Sequence, residues 1–295
     1  MLTVCIPVYN IDVWPLVYAL SRQSEISGTV TEILVADDLS DVAYRQMNRE
    51  ISHLPLVRYI ESGVNLGRSA IRNYLGGLAD NECILFLDAD SLPPDRQFIM
   101  RYRDAMTSDG VICGGTLYED KVPDPGTALR WTYGRKREQL TAVQRAARGF
   151  SITANNFMVR KQDLLAHPFR EEIRRYGHED TVFGYDITKA GIAIRHIDNP
   201  VIHTGLEDSA AYLAKTRIAL ENLLQIAREI VPEPEFADHS GLLRTRNRLE
   251  KAGIHRIAGS IFNLLRKPAE CHLLGTHPNI GIFDLYRLCY LCSLK

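Results

Sequence analysis

The sequence predicts an open, largely parallel α/β sheet. Short apolar runs alternate with helical stretches across the first half of the chain, the pattern of strand–helix–strand units. Those runs are apolar almost throughout, as expected when both faces of a sheet are covered. Four consecutive runs also end on polar or special residues, which is where ligands bind in open parallel sheets. A chain of 295 residues can bury a proper core without disulfide or metal staples.

Taken in order, Leu2–Val8, Glu32–Ala36, Val57–Ile60 and Cys83–Leu87 read as strands. Trp14–Gln23, Asp41–Ser52, Ser69–Asp80 and Pro94–Thr107 read as the helices beside them. The second half is less regular. Val111–Gly114, Ile152–Val159 and Ile192–Ile197 continue the strand pattern, whereas Gly115–Gly126, with two prolines and three acids, reads as a loop. Asp180–Lys189 reads as a helix stopped by Gly191. Ser209–Ile230 is a long amphipathic helix with Leu213, Leu220, Leu223, Leu224 and Ala227 toward one face. Val231-Pro232-Glu233-Pro234 breaks it, and the remainder from about Gly241 reads as mainly helical. Two regions are expected, 1–207 for binding and chemistry and 208–295 as a helical extension.

Composition excludes several classes. With 45% hydrophobic and 24% charged residues, the chain is neither disordered nor fibrous. A net charge of −1 gives no electrostatic footprint for nucleic acid. No apolar stretch reaches the roughly 18 residues of a membrane-spanning helix. The start, MLTVCIPVYN, lacks the basic region and long apolar run of a signal peptide, so a cytoplasmic protein is expected. Cys5, Cys83 and Cys113 sit inside apolar strand-like runs, where free Cys behaves as a small hydrophobe. That usage fits a reducing compartment. Cys289-Tyr290-Leu291-Cys292 is a CxxC without a second pair. Cys271 and His272 could complete a zinc site, but the apolar face of a final helix explains the pair as well.

The polar strand ends carry the chemistry. Asp88-Ala89-Asp90 follows a buried-looking strand, and alternation turns both carboxylates to one side. Two close carboxylates repel unless a cation lies between them, and a hard divalent ion is the natural partner. The plainer alternative is a turn and a helix cap before Pro93-Pro94. Asp37-Asp38 could accept hydrogen bonds from a nucleobase N–H or a ribose hydroxyl. Equally, Asp38 or Ser40 could cap the helix beginning near Asp41. Arg68 and Arg72 lie on one helix face near its start and suit a diphosphate, or form a solvated basic face. Asp180 opens a helix, where a carboxylate is stabilised as the anion and can be a cap or a base. His203 follows Pro200-Val201-Ile202, and a lone His is more often structural than a ligand.

Together these residues resemble glycosyltransferase family 2, of GT-A fold. The resemblance lies in the order PVYN, DD after a strand, NxGRSxxRN, DAD and ED, and covers Leu2 to Gly205. It implies an open mixed, mostly parallel sheet flanked by helices. It implies that Pro7 and Tyr9 pack on the nucleobase, that Asp38 reads the base, and that Arg72 stands near base and diphosphate. Asp88 then matches the ribose-side carboxylate, Asp90 a metal ligand, Asp180 the catalytic base, and His203 a further metal-site residue of some members. The implied reaction is inverting transfer from a UDP-sugar, with Mn2+ or Mg2+, to a glycan or lipid-linked sugar acceptor in polysaccharide biosynthesis. The QxxRW motif of processive synthases is missing: Arg130-Trp131 has Thr127 at the required offset and precedes the ED motif. A transferase adding one or a few sugars is therefore expected.

Two rival readings stand beside it. A haloacid-dehalogenase-type phosphatase also opens with an apolar strand and DxD, but wants Thr or Val where Leu92 stands. A non-catalytic sugar-nucleotide-binding protein would not need a base candidate. The final segment, Gly281 to Leu288, is apolar on two sides and must be covered by core, a partner subunit or a membrane surface. The last covering would put the chain at the inner face of the membrane.

Overall fold

The structure, a computed structural model, describes residues 1–106, 110–148 and 152–294. The predicted end of one helix at Thr107 lies outside them. The chain begins β1 (Leu2–Val8), α1 (Trp14–Ser27), β2 (Val30–Asp37), α2 (Val42–Arg49), β3 (Val57–Glu61), α3 (Gly67–Leu78), β4 (Cys83–Leu87) and β5 (Ser91–Leu92). It continues α4 (Phe98–Ala105), β6 (Val111–Cys113), β7 (Thr116–Leu117), α5 (Ala128–Tyr133), α6 (Ala142–Ala146), β8 (Asn156–Arg160) and α7 (Lys161–Ala166). It ends α8 (Glu179–Lys189), β9 (Ile194–His196), β10 (Val201–His203), α9 (Ser209–Gln225), α10 (Gly241–Lys251), α11 (His255–Leu273) and α12 (Ile280–Ser293).

The residues form two compact units. The first is Met1–Leu117, Leu140–Arg174 and Phe183–Gly205; the second is Tyr118–Gln139, Arg175–Val182 and Leu206–Lys295.

The first unit holds the predicted sheet. Its strand order is β3-β2-β1-β4-β8-β6-β9, parallel except for β8, which runs antiparallel to both β4 and β6. A small second sheet, β5-β10-β7, pairs Ser91 with His203. Period-two alternation explains why β1 is apolar on both sides. Leu2, Val4, Ile6 and Val8 pack with Leu16 and Leu20 of α1 and Phe98 of α4. Cys5 points the other way, toward Ile71 and Leu75 of α3 and Leu164 of α7. Each such buried side chain contributes about 1.5–3 kcal/mol of transfer free energy.

Local hydrogen bonds moved several predicted boundaries. α4 begins at Phe98 and not at Pro94, because the Asp95 carboxylate accepts from the Gln97 amide and holds a turn there. The strand expected from Ile152 begins at Asn156, where pairing with Leu87 of β4 starts. The loop expected over Gly115–Gly126 contributes β7 to the small sheet.

The second unit is mainly helical. Phe262, Leu273, Ile280, Phe283, Tyr286 and Cys289 form its core with Leu129 and Leu213. Arg217 Nη1 donates to Glu270 at 2.8 Å and to the Tyr286 hydroxyl at 2.9 Å. Cys289 and Cys292 of the CxxC are buried, and burial pushes both thiols up. A zinc ligand needs the opposite, an easily formed thiolate. No cluster of three metal-binding side chains occurs among the described residues. No helix among them is long and apolar enough to cross a membrane.

Candidate active site

Parallel pairing in the order β3-β2-β1-β4 lines up four carboxyl ends at one edge of the sheet. The loops there are tied together. Asp38 N donates to Val8 O at 2.8 Å, Ser62 N to Asp37 O at 2.8 Å, and Asn10 N to Ser40 Oγ at 2.8 Å. Asp41 N donates to Asn10 Oδ1 at 2.7 Å. Pro7 is half-buried in β1, whereas the Tyr9 ring is 58% exposed and free to stack on a flat ligand.

The two aspartates at the end of β2 have different surroundings. Asp37 is fully buried and accepts from Ser40 N at 2.7 Å. Burial, and then the nearby Asp37 carboxylate, push the Tyr59 phenol up. Asp38 accepts from Leu66 N at 2.6 Å through one oxygen and from Gly67 N at 2.9 Å through the other. It therefore satisfies the start of α3, not of α2 as the capping alternative had it. α2 begins after Asp41 with no side-chain cap. Each Asp38 oxygen keeps a second acceptor site for a ligand N–H.

Arg72 sits on the second turn of α3 and is 2% exposed. Its Nη2 donates to Asp88 Oδ1 at 2.7 Å, and its Nη1 to Arg68 O at 3.0 Å. The guanidinium lies 5.7 Å from the Phe169 ring centroid, a cation–π contact. The arginine is thus fixed at the end of β4 and does not form part of a solvated face.

Asp90 is positioned by two strands of the small sheet, β5 and β10. Its carbonyl accepts from Thr204 N at 2.8 Å and from Thr204 Oγ1 at 2.9 Å. The β5–β10 pairing then brings His203 Nδ1 to 3.5 Å from Asp90 Oδ1. A Cβ on Gly205 would stand 2.5 Å from Asp90 Oδ2, so only glycine fits beside the carboxylate. One oxygen and one imidazole nitrogen at this separation can share an ion. The donor set suits Mn2+, which accepts both types, and admits Mg2+. Such ions take their remaining positions from phosphate oxygens and water.

Asp180 belongs to the second unit, on the first turn of α8. Its Oδ1 accepts from Thr181 N at 2.7 Å. Gly177 and His178 both have left-handed backbone, φ +95° and +70°, which turns the chain sharply into the helix. Asn222 of α9 holds that turn, donating to Gly177 O at 2.6 Å and to Arg175 O at 3.2 Å. Burial, and then the Arg287 guanidinium, push the His178 imidazole down to about 4, so the ring is neutral at pH 7.

Gly205 and Asn222 were not singled out by sequence reasoning. Gly205 has a local signal, a glycine two residues past the histidine. Asn222 has a weaker one, a polar residue among the leucines on the buried face of α9.

A sequence model of the family described as "Glycosyl transferase family 2" matches residues 3–166. The solved mannosyltransferase PcManGT from Pyrobaculum calidifontis, in complex with GDP-Man and Mn2+, is 16% identical over 98% of this chain and 84% of that chain, with a TM-score of 0.62. S. aureus TarS 1–349 is 18% identical over 98% and 90%, with a TM-score of 0.52. Glucosyl-3-phosphoglycerate synthase from Mycobacterium tuberculosis, in complex with Mn2+, UDP and glucosyl-3-phosphoglycerate, is 15% identical over 76% and 79%, with a TM-score of 0.51. At these identities the likeness is one of fold. No curated protein matches the chain.

Proposed function

The chain belongs to glycosyl transferase family 2, and on that premise we propose inverting transfer of a sugar from a UDP-sugar to an acceptor hydroxyl. The acceptor class is a glycan or lipid-linked sugar, in polysaccharide biosynthesis. The observation that carries the reading is the end of β4, where Asp88 pairs with Arg72 and Asp90 stands beside His203. Two structures of similar fold hold GDP-Man or UDP together with Mn2+, which supports a nucleotide and a divalent ion here.

In this reading Tyr9 stacks on the base with Pro7 behind it, and Asp38 accepts from the base N–H. Asp88 accepts from the ribose, held in place by Arg72. Arg72 also adds positive charge beside the diphosphate. Asp90 and His203 hold Mn2+ or Mg2+, which when bound offsets the charge that develops on the leaving diphosphate. Asp180 takes the acceptor proton, a role typically worth about 10²–10⁴-fold. Its place at the start of α8 favours the anion that this role needs.

The reading is tested by titrating UDP and UDP-sugars with and without Mn2+, then following UDP release and product mass. Binding that strengthens with Mn2+, and release that EDTA abolishes, are expected. Turnover of phosphomonoesters without nucleotide-sugar binding would instead favour the phosphatase. Binding without product under any acceptor mixture would favour the non-catalytic alternative.

A further inference from the structure

We propose that α11 docks this chain onto an anionic lipid bilayer. The sequence led to α12 as the segment needing a cover, but the helical unit itself supplies it. Ile280, Phe283, Tyr286, Cys289, Leu291 and Cys292 of α12 are buried. The unpartnered apolar face lies on α11. Ile257, Ile261, Leu264 and Leu265 recur at i, i+4, i+7 and i+8, hence on one face. They are 60%, 41%, 78% and 47% exposed. The opposite face, with Gly259, Phe262 and Leu273, is the one that packs inward.

The stripe does not stop at α11. A groove of about 300 Å³ joins Ile261, Leu265 and Pro268 to Ile282 and Leu285 of α12. The last two are 38% and 54% exposed. A row of this kind across two helices exceeds the single scattered apolar residues normal for a surface.

Charge selects the occupant. Residues 241–275 carry seven Lys and Arg against two Glu, although the whole chain has a net charge of −1. Basic character is therefore concentrated on the two helices α10 and α11. Arg256 and Lys267 are exposed on the flank of the apolar stripe and have no ion-pair partner among the described residues. An exposed apolar face with a basic flank is the signature of a helix lying in a bilayer interface. Anionic headgroups attract such a flank, whereas a second copy of the same face would bring like charges together. The helix is not a membrane span. Pro268 lies inside it, and removes the donor to the Leu264 carbonyl, a group that interfacial water can still satisfy.

The test is flotation of the full chain with large vesicles of phosphatidylcholine, with or without about one-third phosphatidylglycerol. Expected is binding to the anionic vesicles only, weakened as salt is raised. Arg256→Gln with Lys267→Gln should weaken binding by about tenfold or more. Leu264→Asp with Ile257→Asp should abolish it, while circular dichroism and nucleotide binding stay unchanged. These positions are exposed, so the variants are expected to fold. Absence of vesicle binding, or undiminished binding by the Asp variant, overturns the proposal. So does a concentration-dependent dimer that the Asp variant dissociates without any vesicle binding, which would assign the stripe to a second copy.

Discussion

Arg72 Nη2 donates to Asp88 Oδ1 across 2.7 Å, and the arginine side chain is 3% exposed while the aspartate's is 29%. An arginine that deep is tolerated because its charge is paired and both terminal nitrogens donate, Nη2 to Asp88 and Nη1 to Arg68 O. Arg72→Met should therefore destabilise the fold by about 2 kcal/mol, less than for a wholly buried pair because Asp88 keeps some water. Urea denaturation should show the double variant with Asp88→Leu recovering part of that loss. UDP affinity should fall in both. Equal stability of Arg72→Met and the parent would mean that the pair is not coupled.

Asp90 should carry the metal dependence of nucleotide binding. Asp90→Ala should remove the gain in UDP affinity that Mn2+ produces in calorimetry. Gly205→Ala is the subtler probe, since its Cβ would meet Asp90 Oδ2 at 2.5 Å. Displacing the carboxylate in this way should weaken Mn2+ about tenfold, as other disturbances around metal ligands do. Electron paramagnetic titration of Mn2+ reads that change directly. Unaltered Mn2+ affinity in both variants would refute the Asp90 assignment.

Asp180 and Glu179 are adjacent acids on one helix start, so charge alone does not choose between them. Asp180→Asn keeps a side-chain acceptor for Thr181 N and should fold normally and bind donor. Lacking an ionisable oxygen, it should lose transfer by about 10²-fold or more. Glu179→Gln is the control. Were Glu179→Gln inactive and Asp180→Asn active, the base would be the neighbour.

His178 ties stability to pH. Its imidazole is pushed down to about 4 by burial and by Arg287, while the unfolded chain takes up the proton near pH 6.5. Between these values the unfolded state binds more protons, so stability falls as pH falls through that window. The loss should reach about 2–3 kcal/mol toward the acid end of that window. Thermal melts from pH 7 to 4.5 should show it, and His178→Gln should flatten that part of the profile. An unchanged slope in the variant would place the sensitivity elsewhere.

The site was legible to different depths. Asp88 and Asp90 stand out because a strand rich in Cys, Ile, Leu and Phe ends on two acids. Their partners do not. Thr204 reaches Asp90 from 114 residues away, through a two-residue strand, β5, too short to have a periodicity. Asp38 could be read as a cap, yet no local rule says that it caps α3 across the loop from Leu66 and not the helix that follows it.

By itself, the sequence determined the α/β class and the polar strand ends, because strands buried on both faces leave long apolar runs that stop where solvent begins. Tertiary structure decided which pieces share a core. Tyr118–Gln139 and Arg175–Val182 join the helical unit, although they lie between elements of the first. It also decided which face of α11 is covered. Phe262 and Leu273 on one side and Ile257 and Leu264 on the other are equally apolar as letters. Only packing against α12 buries the first pair and leaves the second in water.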